Sequence, residues 1–175
     1  MAFADPLATI KEFSLDEGMH VADFGAGSGA YAIPMARRVG SGRVYAVDVQ
    51  KDLLETVKRE AARERVHNIE IVWGDIEEPK GSKLADRSVD RVLVSNILFQ
   101  TEHKEQIAKE AARILRPNGL CLVIEWSGSY GGLGPKEAAV VRPADARRIF
   151  LNNGFAEAKE VSAGEYHYGI LFRRL

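Results

Sequence analysis

Cysteine is nearly missing from this chain: Cys121 is the one cysteine among 175 residues. An internal disulfide is therefore excluded, and so is a zinc site built on several thiolates. No metal ligand set is expected. Long apolar runs are missing as well. None approaches the roughly 20 residues that a helix needs to cross a bilayer, so no membrane span is expected. Neither sign of charge is in excess, with 24 Lys and Arg against 25 Asp and Glu and a formal net charge of -1. Proteins that wrap nucleic acid usually carry a basic surplus. Here only a local basic patch could serve, because net charge averages over the surface. The first residues, Met-Ala-Phe-Ala-Asp-Pro, lack a basic stretch followed by an apolar one, and no secretory signal is expected. A reducing, cytoplasmic setting fits these absences.

What the chain does have is an ordinary globular balance, 46% hydrophobic and 28% charged residues. That is enough for one compact domain over residues 1–175 with a sizeable core. Two kinds of segment alternate along it. Apolar, β-branched runs at 21–24, 43–49, 69–73, 89–95 and 120–126 read as buried strands. Between them lie stretches of helical spacing. Over 51–66, Leu53, Leu54, Val57 and Ala61 share one face; over 104–116, Ile107, Ala111, Ile114 and Leu115 do. Pro117-Asn118-Gly119 marks the end of the second helix. Such alternation predicts an α/β domain with a mainly parallel sheet. After Trp126 the pattern changes. Residues 127–141 read as a glycine-rich loop near the active site, and Pro143 starts a helix running to about Asn152. Two final strands, within 155–173, are separated by Ser162-Ala163-Gly164-Glu165, short enough for a hairpin. Residues 1–18 are expected to hold a short helix near the domain mouth.

The strongest local signal is Val21-Ala22-Asp23-Phe24-Gly25-Ala26-Gly27-Ser28-Gly29, a strand running through three alternating glycines into a helix. Glycine tolerates positive φ and offers no side chain to obstruct a ligand. A nucleotide-like molecule could lie on this bare backbone, at the carboxyl end of the first strand. Asp48 and Val49 end the second strand, where a carboxylate suits ribose hydroxyls. Gly74-Asp75-Ile76 follows the third strand, with a carboxylate for an adenine amino group and an apolar side chain for its ring.

Taken together, these segments resemble the class I S-adenosylmethionine-dependent methyltransferases, specifically the small-molecule type with a minimal Rossmann-like domain. Asp23 with Gly25-x-Gly27-x-Gly29 resembles the family's first motif, Asp48 its second and Asp75 the acidic residue after the third strand. Residues 90–100 resemble the fourth motif. Arg113-Ile114-Leu115-Arg116-Pro117-Asn118-Gly119 resembles the turn before the fifth strand, with Asn118 in place of its usual first glycine. The match covers roughly residues 15–130. It implies a three-layer domain with a seven-stranded, mostly parallel sheet in the order 3-2-1-4-5-7-6, strand seven antiparallel. It also implies S-adenosylmethionine as cofactor. Asp23, Gly25, Ala26, Gly27 and Gly29 would hold its methionine part, Asp48 the ribose and Asp75 the adenine, with Ser95 and Asn96 beside the sulfonium.

The residues taken singly leave other readings open. Gly25-x-Gly27-x-x-Ala30 also fits a relaxed dinucleotide fingerprint. Asp48 and Asp75 could be cap or turn residues, and Asp23 could merely orient its loop. For the methyl acceptor, strand ends point to Phe99, Gln100 and His103 after the fourth strand, and to Trp126 and Tyr130 after the fifth. An antiparallel last strand would bring His167 and Tyr168 to the same edge. His167 and His103 are the candidate bases. The expected substrate is a small molecule. An RNA or protein acceptor is disfavoured by the near-neutral charge and by Ser95-Asn96-Ile97-Leu98 standing where an Asn-Pro-Pro-aromatic motif would serve flipped bases. A non-catalytic cofactor-binding module is a third reading. An arsenic substrate is disfavoured by the single thiol. Oligomeric state, homodimer included, is not legible.

Overall fold

The computed structural model describes residues 5–175, so the part of the expected N-terminal segment on residues 1–4 lies outside the described residues. In chain order the elements are α1 (Pro6–Glu12), β1 (His20–Phe24), α2 (Ala32–Val39), β2 (Arg43–Asp48), α3 (Lys51–Arg63) and β3 (Ile69–Trp73). They continue with β4 (Val89–Ser95), α4 (Lys104–Ile114), β5 (Leu115–Trp126), α5 (Pro143–Leu151), β6 (Phe155–Ser162) and β7 (His167–Arg174). The seven strands form one sheet in the order β3-β2-β1-β4-β5-β7-β6, as the resemblance implied. Strand β7 runs antiparallel to both β5 and β6; the other pairings are parallel.

Alternation along each strand sends successive side chains to opposite faces, so two core layers form. On one face Phe24, Val92, Val94, Val123 and Phe172 pack under α4 and α5, where Phe150 stacks on Phe172 at 4.9 Å. On the other, Val21, Ala46, Leu93, Ile124 and Leu171 pack under α1, α2 and α3, together with Phe13, Met35 and Val57. No helix among the described residues is long and apolar enough to cross a membrane.

Two helix ends differ from the sequence reading, and the second moves the start of β5 with it. The helix expected over 51–66 stops at Arg63. Arg65 turns left-handed, at φ 56°, and the Arg65 and Val66 N–H groups donate back to the Ala62 and Ala61 carbonyls. This is a Schellman cap built without glycine, and it buries Val66. The helix expected over 104–116 stops at Ile114. Pro117 disfavours helical geometry at Arg116, and Leu115 is already extended and paired with Val89. The Pro-Asn-Gly turn thus lies inside β5 as a bulge, the partner of β4 jumping from Leu115 to Leu120. Asn118 takes φ 63°, a conformation that asparagine tolerates.

A buried ion pair ties the long β3–β4 connection to α4. Glu110 is 1% exposed and accepts from Ser82 N and Oγ, from Lys80 N and from Arg113. Burial disfavours its charge, yet the Arg113 guanidinium and the Ser82 donors hold its pKa below the ordinary value.

Candidate active site

The carboxyl ends of β1, β2 and β3 and the segment after β4 enclose one cleft of about 230 Å³. Gly25, Gly27, Asp48, Val49, Gly74, Asp75, Ile76 and Gln100 line it, all of them residues singled out in the sequence. Gln50, Leu53, Ile97 and Thr101 line it as well and had not been expected there, Leu53 having been read as part of the apolar face of α3.

The glycine loop takes left-handed geometry at all three glycines, with φ of 71° at Gly25, 53° at Gly27 and 92° at Gly29. Each serves differently. A Cβ on Gly25 would sit 2.4 Å from Ile97 Cδ1, so only bare backbone lets the post-β4 segment close there. A Cβ on Gly27 would meet nothing nearer than the Gly25 carbonyl at 3.9 Å, so the backbone is open to a ligand. Gly29 faces inward, onto Val57 and Ile33, and Ala26 is buried, its N–H donating to the Val47 carbonyl.

Asp48 fixes this loop. Its Oδ2 accepts from Gly27 N at 3.0 Å and its Oδ1 from Gln50 N at 2.8 Å, so it both braces the loop and closes a tight turn just ahead of α3. Each carboxylate oxygen retains lone-pair capacity toward the cleft. Asp75 is exposed and spends Oδ1 on the Glu77 N–H at 2.9 Å. Asp23 lies beneath the loop, 2% exposed. The Ala32 N–H donates to it, and its Oδ2 has no partner. Burial first, and then repulsion from Asp48, push its pKa up to about 7.

At the end of β4, Ser95 faces the Tyr31 hydroxyl, which also meets Thr9 of α1; burial raises the Tyr31 pKa. Asn96 adopts φ 54° and its Oδ1 is buried without a partner. Phe99 packs against the core rather than lining the cleft. His103 precedes α4, exposed, its N–H given to Glu77 Oε2 at 2.7 Å, in a separate surface groove with Glu102 and Arg148.

Register brings Trp126 opposite His167. Their rings lie 4.3 Å apart, and Gly134 folds onto the Trp126 ring from the loop that follows. His167 is 7% exposed, neither ring nitrogen has a partner, and burial lowers its pKa. Asp23 pairs with Leu93, Ser95 with Ile124 and Trp126 with His167. Counting by twos along the strands therefore puts Asp23, Ser95, Trp126 and His167 on one sheet face. Tyr168 points to the opposite face and donates to the Val141 carbonyl at 2.8 Å. Tyr130 bonds Ser127 Oγ at 2.6 Å and meets Tyr166 edge-on. Cys121 is buried in β5, its thiol pKa raised by burial.

Glu125 had not been singled out. It is 0% exposed at the end of β5; Oε1 accepts the Ile97 and Leu98 N–H groups and Oε2 has no partner. The available signal was a lone carboxylate closing the apolar run Leu120-Cys121-Leu122-Val123-Ile124.

The cleft fits S-adenosylmethionine on two structural grounds: the Gly27 backbone leaves open space, and the Asp48 and Asp75 carboxylates line it, while Asp23, with one bare oxygen, lies beneath without lining it. Comparison with known proteins agrees. A family described as a methyltransferase domain matches residues 21–119. The ubiquinone/menaquinone biosynthesis C-methyltransferase of Laribacter hongkongensis is 31% identical over 128 residues, 73% of this chain and 51% of that protein. The demethylmenaquinone methyltransferase of Staphylococcus aureus is 29% identical over 119 residues, 67% of this chain and 47% of that protein. The chain thus spans about half the length of the curated relatives it matches. A SAM-dependent methyltransferase of Aquifex aeolicus superposes with a TM-score of 0.89 at 25% identity, covering 99% of this chain and 91% of that one. With strand order, cleft and family match in accord, the chain belongs to the class I S-adenosylmethionine-dependent methyltransferases.

Proposed function

We propose that this protein is a single methyltransferase domain that moves a methyl group from S-adenosylmethionine to a small-molecule acceptor. The observation that carries the reading is the convergence on one cleft of Gly27, Asp48 and Asp75, from three separate strand ends, with Asp23, one oxygen bare, beneath. The names of the two curated relatives described above, both quinone-related methyltransferases, support a small molecule over RNA or protein. A cytoplasmic setting accords with the single, buried thiol.

Bound in the cleft, S-adenosylmethionine supplies a methyl group already activated by the positive sulfur it leaves. The chain's residues then have three tasks. Asp48 and Asp75 would hold the adenosine end as hydrogen-bond acceptors, with Ile76 as the apolar side chain beside it. Asp23 would offer negative charge to the methionyl end, and Ser95 and Asn96 would stand on the side toward β4. Alignment and the exclusion of water complete the work, since such a displacement needs no activation of its leaving group. Trp126, on the sheet face shared with Ser95, forms the acceptor wall. His167 is the group assigned to hold an acceptor proton: its pKa is lowered, so it stays neutral near pH 7, with one ring nitrogen free to accept.

Titration calorimetry with S-adenosylhomocysteine and with NADH tests the assignment. Binding of the first and not the second is expected; binding of NADH alone would overturn it. A metabolite screen read by homocysteine release then identifies the acceptor.

A further inference from the structure

Strand β5 ends in a carboxylate that the proposed reaction does not use. Glu125 accepts two N–H groups on one oxygen, from Ile97 at 2.8 Å and from Leu98 at 2.7 Å. Those two amides open the segment that leads from β4 to α4. The segment starts at the left-handed Asn96, touches the glycine loop through Ile97 Cδ1, and lines the cleft through Gln100 and Thr101. A second clamp reinforces its bend, Gln100 Nε2 donating to the Asn96 carbonyl at 3.0 Å. Holding a segment with a fully buried carboxylate is costly, because the charge is desolvated and Oε2 is left without a donor. An anchor on solvent-exposed backbone would avoid that cost.

We propose that Glu125 is a positioning residue for cofactor binding: it pins residues 96–101 so that Ile97 closes on Gly25 and Gln100 and Thr101 wall the cleft. The proposal rests on the assignment of that cleft to S-adenosylmethionine. Bonds to an ionised acceptor are shorter and about twice as strong as neutral ones, so the grip depends on charge. Burial pushes the Glu125 pKa up to about 7, opposed by the Ile97, Leu98 and Trp126 N–H groups and by Lys104 at the start of α4. Tyr168 of β7 stands directly beside it on the same sheet face, its own hydroxyl held by Val141, with Asp145 and Arg147 of α5 acting on Tyr168. Glu125 is raised, so its grip is full above pH 8 and loosens as pH falls through 7.

Amide hydrogen exchange on the ligand-free protein tests the grip directly. Protection at Ile97 and Leu98, corrected for intrinsic exchange, is expected to fall between pH 8 and pH 6 in the wild type. In Glu125→Gln it should be low and independent of pH. Affinity for S-adenosylhomocysteine at pH 8 should drop about tenfold in Glu125→Gln, the size of one lost charge-assisted contact. Faster exchange with unchanged affinity would reduce Glu125 to a loop anchor and overturn the proposal; so would unchanged exchange. If Glu125→Gln does not fold, pH-independent protection of the two amides in the wild type is the overturning result. Failure of the wild type to bind S-adenosylhomocysteine would instead overturn the assignment of the cleft, and would leave the exchange result to stand on its own.

Discussion

Binding of S-adenosylmethionine at pH 6 should expel a proton from Asp23. In the ligand-free protein burial and Asp48 hold this carboxyl at a pKa of about 7, against an ordinary 3.8. Roughly nine in ten molecules are therefore protonated at pH 6. A cation within about 4–6 Å lowers a carboxylate by 1–3 units, and the cofactor brings a sulfonium and an ammonium. With a drop of about 2 units, about 0.8 proton leaves per cofactor bound at pH 6, and affinity rises about fivefold from pH 6 to pH 7. Calorimetry at pH 6 in two buffers of different ionisation enthalpy measures the released proton. Asp23→Asn keeps the shape and loses the charge, so the Asp23 share of about 0.8 proton should disappear, leaving only the smaller share that Glu125 releases. Equal proton release in wild type and Asp23→Asn would refute the reasoning. The ammonium of the cofactor titrates near 8, which is why the comparison belongs below pH 7.

The same raised pKa carries a stability signature without ligand. Between about pH 4 and pH 7 folded Asp23 keeps a proton that the unfolded chain has lost, so its contribution is complete below pH 4 and disappears as pH rises through 7. At about 1.4 kcal/mol per unit, the ionised form costs up to about 4 kcal/mol at pH 8. Thermal melts of Asp23→Asn should accordingly exceed wild type at pH 8 and match it near pH 4.

Gly25→Ala forces a left-handed alanine, costing about 1–2 kcal/mol, and drives its Cβ into Ile97; a folded protein with at least tenfold weaker S-adenosylhomocysteine binding is expected from circular dichroism and calorimetry. Asp48→Ala frees the Gly27 and Gln50 N–H groups and should weaken the same binding at least tenfold, about 1.4 kcal/mol, unchanged affinity removing Asp48 from the site. Residues 127–141, with exposed left-handed Gly131 and Gly132, are expected to close over the acceptor, so limited proteolysis there should slow when cofactor and acceptor are both bound.

What was legible in the chain was what local chemistry dictates. Asp23, Asp48 and Asp75 each stand at the carboxyl end of an apolar run, next to glycine or a helix start, and that local signature placed all three at one edge. Strand order came with the family resemblance. The bulge at Leu115 was not legible, because it depends on pairing with Val89, 26 residues earlier. The cap at Arg65 uses a non-glycine left-handed residue, which no turn signal marks. Glu125 was missed for the same reason at greater range: its partners Ile97 and Leu98 lie 28 and 27 residues away. For His167 topology gave the edge, but its burial follows from Trp126 beside it and from Gly134 folding onto that indole.

Three buried carboxylates separate architecture from function by how their oxygens are spent. Glu110 has donors on both, from Ser82, Lys80 and Arg113, and its pKa is lowered despite burial. Asp23 and Glu125 are each left with one bare oxygen and are pushed up to about 7. A fold selected for stability alone gains nothing from such groups, since an unpaired buried acceptor costs about 1–3 kcal/mol. Both stand at the carboxyl edge of the sheet, Asp23 under the glycine loop and Glu125 behind the segment facing it. The unspent capacity therefore brackets the cleft. On the proposed assignment, Asp23 would be completed by a charge that arrives with the ligand, and Glu125 would hold the wall against which that ligand rests. Exchanging their fates makes the point testable in one pair of variants: Glu110→Gln should lower the melting temperature and spare cofactor affinity, whereas Asp23→Asn should raise it at pH 8 and weaken S-adenosylmethionine binding.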